Sequence, residues 1–546
     1  MKILIVGGTA AGTKAAAKLK RELGNEADIS VITLGKYISY AACGLPYYIG
    51  QVIKEKETLL ENTPASFEDL TNVKVTTGIE AVKLDRAGKT VYAKNHNTGA
   101  DETYTYDKLV IATGARPVKP PIPGIDLENI FTLRDPDDAD RIKEAVATGE
   151  IKRACIIGGG AIGLEMAENL SLLGVRASVI DMAPHILPGY DADFADYAEN
   201  MLADHGIPVF LNDSVVGFEG EGKVQKLRTG KRAIKTDMVI MSVGVRPNTE
   251  WLKDSGLNFV EGTAILDVDD RMHTNDADIW AVGDCAMVKN LVTGKNNWTP
   301  MGSTANLAGR LCAKDIAGTA THGFRGVLGT NVLQLPGVNV GKAGLGIEAA
   351  AAAGIDYEHV TITCYDKAKF YPDMSHFCIR LVAEKATRKL IGVQVLGTGT
   401  VDKIVDIGVT AISLGATIDK FDDMDFAYSP PFSSVIHPFA IAADALENKL
   451  DGKLDGDTFS ALNVEDDWVL LDVGKTPVLP QLRHVAVGDI NGELDGVPTD
   501  AKVALFCLEG KNSYMAQNRL LRYGYSNVKV VEGGTYFNKS GVQDLS

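Results

Sequence analysis

Cys43 is the residue of this chain whose setting best suits redox chemistry. It stands in the run Ser39-Tyr40-Ala41-Ala42-Cys43-Gly44-Leu45-Pro46-Tyr47, where a buried-strand pattern gives way to the predicted start of a helix. A helix N-terminus stabilises a thiolate, which lowers the pKa of the thiol and raises its reactivity. The local sequence leaves a buried structural cysteine equally open.

The other cysteines offer Cys43 no partner in sequence. The seven cysteines are scattered and contain no C-x-x-C pair, which fits a reducing compartment and argues against a zinc site or a dithiol redox pair. We therefore predict no metal site. A catalytic thiol in this chain would work alone. The six other cysteines are Cys155, Cys285, Cys312, Cys364, Cys378 and Cys507.

A Gly-rich turn precedes Cys43 and predicts a nucleotide site. Lys2 to Val6 reads as a strand, residues 7–12 as the turn, and an Ala- and Lys-rich helix follows to about Leu23, before a strand at 29–34. Free backbone N–H groups at such a helix N-terminus bind a pyrophosphate. The motif is imperfect, since Thr9 replaces its middle glycine and Thr33 replaces the acidic residue expected about 20 positions on.

A second turn is complete. Residues 158–163 read Gly-Gly-Gly-Ala-Ile-Gly after the strand 153–157, and the next strand ends in Asp181, 18 residues beyond Gly163. A carboxylate there accepts both hydroxyls of an adenosine ribose and repels a 2'-phosphate. Because no Arg or Lys lies between Asp181 and His185, NADH is favoured over NADPH. Two such units indicate two cofactors that exchange hydride.

Two further segments complete a pattern of four. Residues 106–117 form an apolar strand ending in Ala-Thr-Gly, and residues 278–285 form a strand ending in Gly-Asp-Cys. Together the four segments resemble the flavin-dependent pyridine nucleotide–disulfide oxidoreductases over about residues 1 to 450. The resemblance implies FAD at the first turn and NAD at the second. It implies FAD contacts from Gly7, Gly8, Gly12, Thr33, Ala112, Thr113, Gly114, Gly283, Asp284 and Thr304, and NAD contacts from Gly158, Gly160, Gly163, Glu165, Asp181 and Gly244.

Within this family the run around Cys43 resembles the single-cysteine branch. That branch includes coenzyme A disulfide reductases, persulfide reductases, and NADH oxidases and peroxidases. In the reductases the cysteine forms a mixed disulfide with coenzyme A, whereas in the oxidases it passes through a sulfenic acid. The first turn lacks the His typical of the oxidases, and the basic first helix suits coenzyme A phosphates. The resemblance places coenzyme A at Lys14, Lys18, Arg21, Ser39, Cys43 and Asn306.

Residues 326–450 resemble the family's dimerisation domain, which implies a homodimer whose active sites are completed across the interface. The run Phe426-Ala427-Tyr428-Ser429-Pro430-Pro431-Phe432-Ser433 resembles a motif whose tyrosine reaches the partner's site and stabilises or protonates a departing thiolate. Tyr371 is a second tyrosine of this kind. The sequence around each tyrosine also fits an ordinary core residue, which leaves that alternative open.

The last 90 residues predict a separate small α/β domain after a polar linker at 448–457. Cys507 ends a strand, and the loop 507–513 runs into a helix, so backbone N–H groups converge on the sulfur. This resembles a rhodanese domain, in which such a cysteine carries sulfane sulfur. Leu508 and Asn512 replace the loop arginines of active members, and only Lys511 is positive. We expect weak thiosulfate sulfurtransferase activity or a degenerate docking domain.

Composition limits the alternatives. At 546 residues the chain exceeds one hydrophobic core, and its net charge of -16 argues against a nucleic-acid binder. No signal peptide and no apolar run of the roughly 18 residues of a membrane helix is found, so we expect a cytoplasmic protein. The predicted fold class is α/β. We predict an FAD domain at 1–115 and 245–325, an NAD domain at 116–244, a dimerisation domain at 326–450 and a rhodanese-like domain at 458–546.

The fusion of these domains resembles the coenzyme A disulfide reductase–rhodanese fusions, also described as NADH-dependent persulfide reductases. The expected activity is reduction of coenzyme A disulfide, or of coenzyme A persulfide or polysulfide, by NADH through FAD and Cys43. An NADH oxidase or peroxidase, and a redox-sensing flavoprotein with a docking tail, remain the alternatives.

Overall fold

The computed structural model describes residues 1–463 and 467–543 of the chain. These residues form two compact units, each assembled from two stretches of sequence. The first unit comprises Met1–Pro184 and Ile207–Val327, and the second comprises His185–Gly206 and Leu328–Ser546.

The first unit is built around a parallel sheet that contains the N-terminal strand. In spatial order its strands are Ile279–Ala281, Lys108–Ile111, Lys2–Val6, Asp28–Thr33 and Lys74–Thr77. The central strand is buried from Ile3 to Val6, as expected where helices cover both faces of a parallel sheet. The helix Ala10–Leu23 follows it directly. This helix approaches the helix Gly302–Ile316 so closely that a Cβ on Gly309 would lie 2.4 Å from the carbonyl oxygen of Ala11.

A second parallel sheet lies in the same unit. Its spatial order is Ile130–Thr132, Met238–Met241, Arg153–Ile157, Arg176–Ile180 and Val209–Phe210. The helix Ala161–Leu172 follows its central strand. The chain passes between the two sheets twice, and the passing strands Ala115–Pro117 and Val245–Pro247 pair antiparallel with each other. The fold therefore contains two Rossmann-like sheets, the second inserted in the sequence of the first.

The remaining elements of the first unit are short or peripheral. An antiparallel sheet joins Ile79–Asp85, Thr90–Asn95 and Asp101–Thr105, and another joins Val215–Glu219, Lys226–Thr229 and Ala233–Lys235. Strand pairs are Ile38–Tyr40 with Leu60–Asn62 and Val288–Lys289 with Asn296–Asn297. The helices are Leu45–Ile49, Pro64–Thr71 and Pro136–Ala147, with 3-10 turns at Ala42–Gly44, Lys56–Leu59, Glu250–Leu252 and Gly283–Cys285.

The second unit combines an antiparallel and a parallel sheet. The antiparallel sheet has the order Asn331–Leu335, Val338–Gly344, Leu390–Gly397, His376–Glu384 and Tyr357–Tyr365. The parallel sheet has the order Gly456–Asp457, Asn527–Val531, Lys502–Phe506, Val469–Asp472 and Arg483–His484. The helices are Ala192–Asp204, Ile347–Ala353, Val401–Leu414, Pro438–Leu450, Phe459–Leu462, Lys511–Arg522, Gly534–Phe537 and Lys539–Gln543, with 3-10 turns at Ile418–Phe421 and Val487–Asp489.

The predicted α/β class and its two Rossmann-like sheets are confirmed. The predicted linker at 448–457 is wrong at both ends, since the helix Pro438–Leu450 covers its start and the strand Gly456–Asp457 its end. The side chain of Lys449 in this helix is 9% exposed and makes an ion pair with Glu532. Gly456 lets its strand approach Val530 closely, since a Cβ on Gly456 would lie 2.4 Å from the Val530 carbonyl oxygen. A polar, Gly-containing run here is structured because the adjoining sheet supplies its partners. Among the described residues, no helix is long and apolar enough to cross a bilayer.

Candidate active site

Cys43 is exposed, whereas the six other cysteines, all free, are buried. It lies in the 3-10 turn Ala42–Gly44, between the strand Ile38–Tyr40 and the helix Leu45–Ile49. The backbone N–H of Ala41 donates to the carbonyl of Leu59 at 2.8 Å, which fixes the turn against the next stretch of chain. An exposed thiol on a fixed turn is accessible to a disulfide in solution.

The structure corrects the predicted acidity of this thiol. Partial burial, together with the negative charges of Glu165 and Asp284, raises the pKa of Cys43, and the positive charge of Arg134 only partly opposes them. The helix Leu45–Ile49 starts two residues beyond Cys43 and has five residues, so its dipole does not decide the pKa. The chemistry of Cys43 therefore depends on the burial of its sulfur and on the charges that surround it.

Glu165 carries one of these charges. It lies on the helix Ala161–Leu172 and accepts a hydrogen bond at 3.2 Å from the hydroxyl of Tyr47, the last residue of the Cys43 motif. Burial raises the pKa of Glu165 to about 7, although the hydrogen bond from Tyr47 opposes this. The residue predicted as an NAD contact thus lies beside the Cys43 motif. Its charge changes within the physiological pH range.

Arg134 is a site residue that the sequence did not reveal. It follows the strand Ile130–Thr132, and its guanidinium lies 3.4 Å from a carboxylate oxygen of Asp284. Burial raises the pKa of Asp284, and Arg134 opposes the shift. A lone Arg after a short edge strand carries no local signal, because only the packing of the second sheet brings it to Asp284.

The first Gly-rich turn has the close packing that a dinucleotide cradle requires. A Cβ on Gly7 would lie 2.0 Å from the carbonyl oxygen of Ala112, and one on Gly12 would lie 1.9 Å from that of Gly7. Gly8 is similarly crowded by Thr33, whose Cγ2 would be 2.9 Å from the added Cβ. Side chains are thus excluded, and the helix N-terminus remains free to receive a pyrophosphate. These residues fit FAD.

The remaining predicted FAD residues gather around the same turn. The hydroxyl of Thr113 donates to the carbonyl of Asn248 at 2.7 Å, and Gly114 and Gly283 have positive φ of 64° and 78°. A Cβ on Gly283 would lie 3.1 Å from the Cβ of Ala11, so the Gly-Asp turn abuts the first helix. Thr304 is buried near the start of the helix Gly302–Ile316.

The glycines of the second turn have two different roles. Cβ atoms on Gly158 and Gly163 would lie 2.2 and 2.1 Å from carbonyl oxygens, whereas nothing lies within 4 Å of one on Gly160. Gly160 therefore leaves open space beside the backbone where a pyrophosphate approaches. Asp181 accepts from the N–H of Gly159 at 2.7 Å, which places its carboxylate at this turn. Gly244, with φ of 96°, follows the neighbouring strand Met238–Met241. This turn fits a nicotinamide dinucleotide.

The predicted coenzyme A contacts lie on four elements of the first unit, one of which is the 3-10 turn that carries Cys43. Lys14, Lys18 and Arg21 lie on the helix Ala10–Leu23, and Asn306 lies on the helix packed against it. Lys18 is ion-paired with Glu22, which leaves Lys14 and Arg21 as the less engaged charges of the three. Ser39 has φ of 44°, an uncommon conformation for a residue with a side chain, and its N–H donates to the carbonyl of Gly8 at 3.1 Å.

Both predicted tyrosines lie on loops of the second unit. Tyr428 is 46% exposed, in a segment whose apolar side chains Met424, Phe432, Val435 and Ile436 are also exposed. Tyr371 lies in the connection 366–375 between the strands Tyr357–Tyr365 and His376–Glu384, beside Phe370, which is 78% exposed. Tyr428 is therefore not a core residue, and the alternative interpretation of its sequence, as a core residue, is wrong.

Cys507 is 2% exposed and is held in a cradle of donors. Its sulfur accepts hydrogen bonds from the N–H of Gly510 at 3.1 Å, and from the N–H and hydroxyl of Ser513 at 3.4 and 3.2 Å. Gly510 reaches this position with φ of 89°, which favours glycine. The convergence of backbone N–H groups predicted from the sequence is present.

The chain matches the family described as pyridine nucleotide-disulphide oxidoreductase over residues 1–306, and the dimerisation domain of that family over residues 336–439. It belongs to this family. It is therefore an oxidoreductase, and the prediction of FAD and a pyridine nucleotide as its cofactors is confirmed. The dimerisation domain lies in the antiparallel sheet and following helices of the second unit.

Relatives of this enzyme include both of the activities weighed above. A coenzyme A polysulfide/persulfide reductase using NAD(P)H from Pyrococcus horikoshii is 32% identical over 82% of this chain and 98% of its own. Relatives named NADH oxidase match a similar length.

Two solved structures match this enzyme over nearly its whole length, including the C-terminal domain. Reduced Bacillus anthracis CoADR-RHD covers 100% of this chain and 98% of its own, with 33% identity and a TM-score of 0.95. A NAD-dependent persulfide reductase from A. fulgidus covers 98% of this chain and 100% of its own, with 35% identity and a TM-score of 0.92. The similarity thus extends to the C-terminal residues, beyond the parts of the chain that match the family and its dimerisation domain.

Proposed function

We propose that this flavoenzyme uses NADH to reduce coenzyme A disulfide and coenzyme A persulfide or polysulfide through Cys43. The observation that carries the proposal is an exposed, unpaired thiol on a fixed turn, among Glu165, Arg134 and Asp284 and next to the first Gly-rich turn. All seven cysteines are described, and the other six are buried, so Cys43 needs a small-molecule thiol as its disulfide partner.

The two turns have distinct tasks. FAD and NADH, when bound, supply the two electrons of the reduction. The backbone of residues 7–12 receives the pyrophosphate of the first, and that of residues 158–163 the pyrophosphate of the second. Asp181 orients the adenosine ribose and disfavours a 2'-phosphate, which supports NADH over NADPH.

Cys43 performs the sulfur chemistry. Its thiolate attacks a sulfur of coenzyme A disulfide, forms a mixed disulfide and expels one coenzyme A thiolate. With coenzyme A persulfide, attack on the inner sulfur expels hydrosulfide instead. Two electrons and one proton then cleave the mixed disulfide into the Cys43 thiolate and the coenzyme A thiol. In this second step Cys43 leaves as a thiolate, a form that its raised pKa disfavours. The positive charge of Arg134 stabilises the departing thiolate.

We propose a homodimer in which Tyr428 reaches the partner's active site and assists the departing thiolate. Tyr371 is proposed to have the same role. The exposed apolar side chains around Tyr428 support this, because exposure of several large apolar residues on one segment marks a contact surface. Lys14, Lys18, Arg21, Ser39 and Asn306 are the proposed contacts to coenzyme A.

The C-terminal domain, residues 458–546, is proposed to be rhodanese-like and to carry sulfane sulfur on Cys507. The three hydrogen bonds to its sulfur support this, since they would stabilise a terminal persulfide anion. Because Leu508 and Asn512 offer no charge, thiosulfate is a poor donor in this proposal.

Steady-state NADH oxidation with each acceptor tests the proposal. Cys43→Ser should lower turnover with coenzyme A disulfide and persulfide by at least about 100-fold, because the nucleophile is lost. Cys507→Ser should leave coenzyme A disulfide reduction unchanged and slow turnover of polysulfide. A Cys43→Ser enzyme that is fully active on coenzyme A persulfide would refute the mechanism.

The second candidate is an NADH oxidase, which the oxidase relatives favour. The first turn reads Thr9-Ala10-Ala11 and lacks a histidine. Stoichiometric consumption of oxygen and NADH without any disulfide, unaffected by Cys43→Ser, would favour that activity.

A further inference from the structure

The loop that carries Cys507 also carries a charged residue facing away from the sulfur cradle. Glu509 lies two residues beyond Cys507, and its carboxylate accepts a hydrogen bond from the hydroxyl of Tyr365. The same carboxylate lies 3.6 Å from Nε2 of His376. Tyr365 and His376 belong to the dimerisation domain, so the sulfur loop is attached to a different domain of the same unit.

The attachment is partly buried and stacked. The side chain of Glu509 is 21% exposed and that of His376 is 17% exposed. The His376 ring lies between two tyrosine rings, 4.8 Å from Tyr365 and 4.4 Å from Tyr536. Burial alone would raise the pKa of Glu509, but the nearby His376 ring and the hydrogen bond from Tyr365 outweigh it and lower this pKa, so the carboxylate stays charged.

The opposite edge of the loop is fixed by backbone alone. The N–H groups of Thr535 and Tyr536 donate to the carbonyls of Cys507 and Leu508 at 2.9 and 3.0 Å. A Cβ on Gly534 would lie 2.4 Å from the Leu508 carbonyl, so this edge has no room for adjustment. Glu509 is therefore the side-chain contact that fixes the other edge.

Tyr365 and His376 are paired across the end of a hairpin. The connection between them, residues 366–375, carries Tyr371. One carboxylate thus anchors the Cys507 loop at the base of the Tyr371 loop.

We propose that Glu509, Tyr365 and His376 form a clamp by which the dimerisation domain positions the Cys507 sulfur site. Glu509 is a positioning residue, since it does not touch the sulfur. The clamp holds Gly510 and Ser513 at hydrogen-bond distance from Cys507, a task that the arginines expected in this loop do not perform here. The purpose of the clamp rests on the proposed sulfur-carrying function, whereas the clamp itself depends only on the geometry of the loop.

Peptide-resolved alkylation of the holoenzyme by iodoacetamide tests the clamp. Loss of a hydrogen bond to a charged group should open the loop locally, so Glu509→Ala should raise the rate of Cys507 alkylation about tenfold. Glu509→Gln retains an acceptor for Tyr365, and Tyr365→Phe retains the ring, so each should raise it about threefold. Cys378, fully buried in the dimerisation domain, reports on unfolding of the same unit and should stay protected.

Glu493→Gln is the matched control, because it removes an exposed carboxylate from the same domain. It should leave both rates unchanged. Wild-type alkylation of Cys507 in Glu509→Ala would overturn the clamp, as would a parallel rise at Cys507 and Cys378. If Glu509→Ala does not fold, a wild-type rate in Tyr365→Phe overturns it. Absence of sulfane sulfur on wild-type Cys507 after polysulfide treatment would refute the sulfur-carrying function and leave the alkylation comparison decisive for the clamp.

Discussion

At the scale of single residues, burial and three neighbouring charges control Cys43. Burial raises the pKa of its thiol most, Glu165 and Asp284 raise it further and Arg134 lowers it, so the thiolate fraction at a given pH is a balance of these effects. Since Glu165 has a pKa of about 7, it is ionised over the range in which a thiol titrates.

Substitution should move this balance in opposite directions. The alkylation rate of Cys43 rises with pH as the thiolate forms. Glu165→Gln removes a negative charge and should shift the midpoint to lower pH, whereas Arg134→Gln should shift it to higher pH. Near pH 7.5 each change should alter the rate about threefold, the scale of a partly screened charge pair. Peptide-resolved alkylation against pH measures this, and shifts of both variants in one direction would contradict it.

Asp181 carries a separate residue-scale prediction about the nucleotide. Its carboxylate accepts from the N–H groups of Gly159 and Ala183 at 2.7 and 2.8 Å, which orients it at the second turn. Asp181→Ala removes the charge that repels a 2'-phosphate and the acceptor for the ribose hydroxyls. The ratio of kcat/KM for NADH to that for NADPH should fall at least about tenfold. An unchanged ratio would place the nucleotide preference elsewhere.

At the scale of elements, the second Gly-rich turn makes a paired prediction. A Cβ on Gly163 would collide with the carbonyl of Gly158 at 2.1 Å and push the helix Ala161–Leu172 from its strand, whereas one on Gly160 would meet nothing within 4 Å. Gly163→Ala should therefore destabilise the fold by about 1–3 kcal/mol. Gly160→Ala should fold normally and weaken NADH binding.

Thermal unfolding and NADH titration distinguish the two variants. The Tm should fall for Gly163→Ala and stay near the wild-type value for Gly160→Ala, while NADH affinity falls in both. Wild-type affinity in Gly160→Ala would mean that the pyrophosphate does not approach the turn at this glycine.

At the scale of the whole molecule, a buried ion network organises the second unit. The side chain of Arg380 is 1% exposed and lies 3.0 Å from a carboxylate oxygen of Asp191. It also binds Asp193 and donates to the hydroxyl of Thr361 at 2.9 Å. These contacts attach the helix Ala192–Asp204 to the antiparallel sheet, although this helix follows a strand of the second Rossmann-like sheet in sequence.

Arg380→Met should be strongly destabilising. The substitution preserves much of the volume but removes the guanidinium from Asp191, which is 5% exposed, and from Asp193, which costs about 3–5 kcal/mol. Urea unfolding followed through the second unit measures the loss. Arg388→Met is the control. Arg388 also makes ion pairs, but its own side chain is 30% exposed. Equal losses for the two variants would contradict the burial argument.

Much of the site could be predicted because its determinants are local in sequence. A Gly-rich turn between a strand and a helix specifies its own backbone, since the residues that would collide with a side chain are a few positions away or on the adjoining strand. This is why the two cofactor turns, the helix Ala10–Leu23 and the cradle around Cys507 were anticipated from residue types alone.

The rest depended on which charges folding brings together. Arg134 reaches Asp284, 150 positions away, Glu165 reaches the Cys43 motif, and Glu509 reaches Tyr365, 144 positions away. The sequence by itself determined a lone thiol beside two nucleotide turns. Only the tertiary structure decided that this thiol has a raised pKa and that the polar run 448–457 is ordered, because pKa values and buried ion pairs depend on distance in space rather than on position in the chain.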